Sequence, residues 1–358
     1  MVISGRKDRA MANGQVRTID GDGHVSERQS NILEYLESPW RERATGTGST
    51  FSLTPSDGID RNIGGKLFKG SGHSCQAWLD ALDMGALDAA VLYTTTGLFL
   101  GMIKDPDHAI GVAKGYNNWL AHELCQPSNG KLYGVALLPV QDPDESAKEL
   151  RRAVTELNLS GGMLPADGPH LFGDPKFDVV YRTAAELNCA LAVHASGSLL
   201  GQSLDTFPKF IQTHTMSHPI AILRQFTSMM FQGVFEKFAS VRFGFMETGG
   251  TWVPWWLDRM DEEFEHRGAD EAPLLSKKPS AYVHKGGNIF FGLEAEERLL
   301  GPTLDLIGED LFMYASDWPH WDGDYPESLA EVRQRQDLTE SQRAGVLGGA
   351  AQRFYGLA

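Results

Sequence analysis

Apolar positions along the chain gather in short, near-continuous runs, with longer stretches of helical spacing between them. The runs lie at 16–24 (VRTIDGDGH), 87–95 (LDAAVLYTT), 132–140 (LYGVALLPV) and 160–166 (SGGMLPA). Four more follow at 191–196 (LAVHAS), 241–248 (VRFGFMET), 288–294 (NIFFGLE) and 311–317 (LFMYASD). Such runs suit parallel strands covered on both faces. Between them, 142–158 opens with Asp142 and Pro143, a capping residue and a first-turn proline that start a helix, and 174–188 repeats that signal with Asp174 and Pro175. Eight strands alternating with helices predict a (β/α)8 barrel, with a doubly wound sheet as second choice. One domain over 16–358 is expected, preceded by a disordered tail at 1–15. Segments 41–74 and 266–287 read as long loops at the barrel mouth or rim.

Composition narrows the class without naming a substrate. A hydrophobic fraction of 42% in 358 residues allows a large core. The net charge of −15 argues against nucleic acid as a partner. Cys75, Cys125 and Cys189 are too few and too scattered for a disulfide framework, so reduced thiols in a cytoplasmic protein are expected. No run approaches the ~20 apolar residues of a membrane span, and the start lacks the apolar core of a secretory signal.

The candidate chemistry sits where the strands end, because the C-terminal ends of barrel strands converge on one mouth. Asp20, Asp22 and His24 alternate on the first run and so share a face, with Glu27 just beyond. The fifth run brings His194, the sixth Glu247, and the eighth Asp317 with His320 three residues later. Taken singly, Asp317 reads equally as a helix cap, His194 as a core histidine and Glu247 as a turn residue. Taken together they would bury many carboxylates without a counter-charge, which a bound cation relieves. A metal site is the expectation.

These residues resemble the amidohydrolase-related proteins of the aminocarboxymuconate semialdehyde decarboxylase type. The likeness rests on Asp22-Gly-His24, on His194, on GGTWVPWWLDRMDE (249–262) and on ASDWPHWDG (315–323). It implies a distorted (β/α)8 barrel with Asp22, His24, His194 and Asp317 as metal ligands. Decarboxylases of this type carry a catalytic histidine at the end of the sixth strand, where this chain has Glu247; His218 or His320 would then have to stand in for it.

The donor set is rich in oxygen: Asp20, Asp22, Glu27, Glu247 and Asp317 against His24 and His194. Such a set suits Fe or Mn at least as well as Zn. Charge balance favours two ions, bridged by Glu247, with Glu27 or His218 completing the ligands of the second ion. With one ion, Asp20 and Glu27 would instead orient the histidines. The favoured reading is an oxygen-dependent hydroxylase (monooxygenase) acting on a small organic molecule, since the glutamate variant is similar to superfamily members of that kind. The alternative is a metal-dependent hydrolase or non-oxidative decarboxylase, and a third is an inactive barrel serving as a partner subunit. Trp318, Trp321 and Phe99 are expected to line the substrate pocket, whereas Trp252, Trp255 and Trp256 are read as packing on the barrel wall. A homodimer is the base expectation for such an enzyme.

Overall fold

The computed structural model describes residues 17–27, 29–45, 72–196, 207 and 209–357. Its centre is one eight-stranded sheet in sequential order, every observed pairing parallel. The strands are β1 (Ile19–His24), β2 (Ala89–Tyr93), β3 (Leu132–Leu137) and β4 (Gly161–Pro165), then β5 (Ala190–His194), β6 (Arg242–Met246), β7 (Ile289–Leu293) and β8 (Phe312–Tyr314). Seven fall inside the apolar runs, and β5 starts one residue before its run. All their residues are buried except Tyr133 and Arg242, which are half-buried, as expected for strands covered on both faces.

The ring closes where the chemistry is. The Asp317 amide donates to Asp22 O (3.2 Å) and the His24 amide to Trp318 O (2.8 Å), tying the end of β1 to the segment after β8. β1 carries a register shift between Asp20 and Gly23. Gly23 lies so close to Trp78 that a Cβ would sit 2.2 Å from its ring, and the Trp78 indole N–H donates to His24 O (3.1 Å). Helix Cys75–Gly85, which bears Trp78, therefore braces the strand that carries Asp22 and His24.

Both anticipated helix starts are present. Asp142 accepts the amides of Asp144 and Glu145 at the start of helix Pro143–Thr155. Asp174 caps a short 3-10 turn leading into helix Asp178–Leu187. Two expectations need correction. HTMSHP belongs to helix Phe210–Phe231, which runs through Pro219, so His218 sits on a helix and not in a loop. The stretch 266–287 is not one long loop: helix Val253–Glu271 covers its first residues and a 3-10 turn spans Pro279–Tyr282. The 1–15 tail and most of the 41–74 segment (46–71) lie outside the described residues.

Trp252 and Trp256 pack against the core, with Trp252 edge-on to Phe226 and Phe291, while Trp255 is 61% exposed and does not share that wall. Met229 and Met230 are core residues.

Candidate metal centre

The centre is built from the strand ends upward. Asp22 and His24 come from β1, His194 ends β5, Glu247 follows β6, and Asp317 follows β8. Glu247 and Asp317 both adopt left-handed backbone, with φ of 61° and 51°. Non-glycine residues held there cost of order 1–3 kcal/mol and gather at functional sites. Here the turn aims each carboxylate back over the barrel mouth.

His24 is fully buried, and its Nδ1–H donates to Thr94 O (2.9 Å). Nε2 is then the lone-pair nitrogen, and it is buried without a hydrogen-bond partner. It lies 3.7 Å from Asp22 Oδ1 and 3.4 Å from Asp317 Oδ1. His194 directs Nδ1 to the carbonyl of Ala195 (2.8 Å), with Glu247 Oε2 3.2 Å away, and turns Nε2 to Asp22 Oδ1 (3.2 Å). Four ligands on one ion at ~2.1 Å lie roughly 3.4 Å apart in a tetrahedron. The 3.2 and 3.7 Å edges from Asp22 to His194 and His24 are near that spacing, and His24 lies 3.4 Å from Asp317, which gathers with Glu247 and His320 and not with the Asp22–His24–His194 group.

A second group overlaps the first. Donor atoms of His24, Glu247, Asp317 and His320 lie within 4.8 Å of one another, as do those of Asp22, His24 and His194. His320 bonds Asp317 Oδ1 through Nδ1, and its Nε2 lies 2.9 Å from Thr95 Oγ1. His218 reaches in from its helix, Nε2 3.8 Å from Glu247 Oε1.

The electrostatics describe a pocket short of positive charge. Burial pushes the Glu247 carboxyl up to about 7, and raises Asp317 well above the carboxylate range with help from Asp322 and Asp22. Burial holds His24 well below the ordinary imidazole value, reinforced by His320 and His194, and brings His218 down to about 3 with His214 adding to the effect. His194 goes the other way: burial opposes its protonation but is outweighed by Asp22 and Glu247. Carboxyls driven toward their acid form around imidazoles with free lone pairs make a cation-binding arrangement, because a bound ion restores the carboxylates.

Two predicted ligands stand apart from both groups. Asp20, fully buried, accepts the Ser316 amide (3.0 Å), the Ser316 hydroxyl (2.6 Å) and the Asp22 amide (3.2 Å), and burial pushes it up to about 7. Glu27 turns away toward residues 94–97, where its carboxylate accepts the Thr94 and Thr96 hydroxyls and the amides of Thr95, Thr96 and Gly97. Both support the centre from behind.

A cavity of about 300 Å³ adjoins the centre and is lined by Glu247, Asp317, His218, His214, Glu294 and Asp322, among others. The three residues expected to line a pocket do not border it. Trp318 stands edge-on to Trp78 at 4.7 Å, Phe99 is buried in the turn after β2, and the Trp321 ring lies 5.6 Å from that of His214, which does line the cavity. His214, which pairs with Asp322 at 3.4 Å, was not anticipated. Its four-residue spacing from His218 was the available signal, since i and i+4 share a helix face.

The sequence matches the family described as Amidohydrolase over residues 68–357. It is 26% identical over 303 residues to 2-amino-3-carboxymuconate-6-semialdehyde decarboxylase of Dictyostelium discoideum, covering 82% of this chain and 81% of that protein. It is 28% identical over 240 residues to gamma-resorcylate decarboxylase of Rhodococcus jostii, covering 61% and 69%. Among solved structures, 5-carboxyvanillate decarboxylase of Novosphingobium aromaticivorans, complexed with manganese and 4-hydroxy-3-methoxy-5-nitrobenzoic acid, superposes with a TM-score of 0.71 at 19% identity over 96% of each chain. Among the described residues no helix is long and apolar enough to cross a membrane. The chain belongs to the amidohydrolase family, as a barrel of the aminocarboxymuconate semialdehyde decarboxylase-like type.

Proposed function

We propose that the protein is a divalent-metal-dependent, non-oxidative decarboxylase of a small aromatic or unsaturated carboxylic acid. The observation that carries this reading is the ion-sized gap around His24, where the Asp22–His24–His194 donor group meets that of Glu247, Asp317 and His320. The relatives support it, being named as decarboxylases, and one of them binds manganese together with an aromatic acid. They favour decarboxylation, the alternative raised from sequence, over hydroxylation. When bound, the ion supplies a positive charge that draws a substrate carboxylate or neighbouring oxygen into the mouth.

This chain's residues do the rest. Decarboxylation breaks the bond from carbon to carboxylate, leaves the electron pair on carbon and releases CO2, so that carbon must gain a proton. Glu247 is the acid in position to give it. Burial pushes its carboxyl up to about 7 in the metal-free protein, above an exposed glutamate, which favours the acid form as long as Glu247 is not itself a ligand of the ion. His194 Nδ1, 3.2 Å from Glu247 Oε2, steadies the carboxylate left behind, and His218 stands on its other oxygen. Glu247 thus takes the place of the histidine that decarboxylases of this type carry on the sixth strand.

A second reading has a specific observation in its favour. Glu247 and His320 join His24 and Asp317 in a donor group large enough for a second ion. Paired Fe or Mn would support hydroxylation of a C–H bond by dioxygen, a reaction that also needs a two-electron donor. One experiment separates the readings. Protein loaded with Mn or Fe is incubated with 2,6-dihydroxybenzoate, 5-carboxyvanillate or 2-amino-3-carboxymuconate semialdehyde, with and without oxygen and with ascorbate as two-electron donor. Metal-dependent CO2 release that persists anaerobically, at one ion per chain, supports the decarboxylase. Two ions per chain with oxygen uptake and no CO2 would replace it with the hydroxylase.

A further inference from the structure

Glu27 has the sequence position of a ligand and the surroundings of a clamp. It is 4% exposed, and its Oε1 accepts the Thr96 amide (2.7 Å), the Thr96 hydroxyl (2.8 Å), the Thr95 amide (3.1 Å), the Gly97 amide (3.2 Å) and the Thr94 hydroxyl. A neutral oxygen is a poor acceptor for five donors, whereas a carboxylate suits them, as anions suit clustered backbone amides. The turn from Thr94 to Gly97 is therefore shaped around one buried charge.

That turn touches the metal centre twice. The Thr94 carbonyl takes the Nδ1 proton of His24, which leaves Nε2 to face Asp22 and Asp317. The Thr95 hydroxyl gives its single proton to Val25 O (2.8 Å), so at 2.9 Å from His320 Nε2 it can only accept. His320 must then carry a proton on Nε2 and present Nδ1 to Asp317. One carboxylate just beyond β1 thus decides which nitrogen two imidazoles offer to the centre. A hydrogen bond behind a ligand is the usual means of selecting its tautomer.

We propose that Glu27 is the positioning residue of the metal centre, acting through Thr94–Gly97 to fix which ring nitrogens His24 and His320 present. This rests on the metal-centre reading and not on which reaction the centre performs. The test has one readout without metal and one with it. In metal-free protein, two-bond proton–nitrogen correlation spectra are expected to show Nδ1–H on His24 and Nε2–H on His320. Glu27→Gln and Thr95→Val should mix the His320 tautomers and weaken Mn2+ binding about tenfold or more, the range for groups behind a ligand. Thr95→Ser, which restores the hydroxyl, should recover both. Wild-type tautomers together with wild-type Mn2+ affinity in Thr95→Val and Glu27→Gln would overturn the proposal, whatever happens to Tm. If Glu27→Gln does not fold, the Thr95 pair decides. A wild-type chain that binds no Mn2+ would overturn the metal reading instead, and the tautomers of the metal-free protein would then judge the clamp alone.

Discussion

Asp317 shows how function opposes stability at a single residue. Its carboxyl is buried, pushed up by burial and by Asp322 and Asp22, and placed on left-handed backbone at φ 51°. Asparagine removes the ionisable group and accepts that backbone more readily than most residues do. Asp317→Asn should therefore raise the stability of the metal-free protein by about 1 kcal/mol, as relief of a functional strain commonly does. The same change removes an anionic donor from the ion-sized gap and should weaken Mn2+ binding by at least about 100-fold. Denaturant melts of the metal-free protein and metal competition titrations read the two effects separately. A fall in both would mean that Asp317 holds the fold more than it serves the centre. Glu247→Gln makes the complementary prediction: metal content stays at one ion per chain while CO2 release falls by about 100-fold or more, because the amide keeps the shape and loses the proton. Unchanged turnover in that variant would remove Glu247 from the acid role.

At the level of elements, the braces behind the strands matter as much as the strands. Gly23 leaves room for Trp78, whose indole holds the His24 carbonyl, so Gly23→Ala must displace either the ring or β1. Overpacking of this kind costs typically 1–3 kcal/mol. The expected result is a loss of about 2 kcal/mol by urea unfolding together with weaker metal binding, whereas a stability loss alone would show that the brace does not reach the ligands. The eight strands could be read from sequence because strands buried on both faces need near-continuous apolar runs, and no strand reaches more than one residue beyond its run. The ends of β1, β5, β6 and β8 were legible for the same reason, since the polar residue closing an apolar run lands at the mouth. Helix Phe210–Phe231 was not, because Pro219 and a run of His, Thr and Ser mask its periodicity. The bearing of Glu27 was equally invisible: nothing near position 27 announces that residues 94–97 will fold over it. Asp20 was legible as the deeper support, although the register shift in β1 was not.

The whole molecule reports the state of its buried acids through the pH dependence of its stability. Asp20, Asp167 and Glu247 are each pushed up to about 7 by burial, against ordinary values of 3.8 for aspartate and 4.5 for glutamate. Between those limits the folded chain holds protons that the unfolded chain has lost. The stability these groups contribute is therefore complete below about pH 4 and is lost as pH rises through about 7, on the order of a few kcal/mol per group. The lowered histidines His24 and His218 oppose this trend until the unfolded imidazoles lose their protons near pH 6.5, so metal-free protein should melt at lower temperature as pH rises from 6.5 to 8. A divalent ion changes only part of this, since Asp20 and Asp167 lie outside the donor groups while Asp317 lies within one and is the ligand whose proton the ion displaces. Binding needs the carboxylates, so at pH 5 it must expel protons and at pH 8 it need not. Stabilisation by an ion at 100 times its dissociation constant is about 2.7 kcal/mol, and that constant itself falls as pH rises. At fixed Mn2+ the gap between loaded and metal-free Tm should accordingly widen from pH 5 to pH 8, while the loaded protein keeps the residual slope set by Asp20 and Asp167. Calorimetric scans with and without Mn2+ across that range measure both terms. A gap that stays constant with pH would mean that the ion binds without displacing a proton, and Asp317 would then not be the acid that burial makes it.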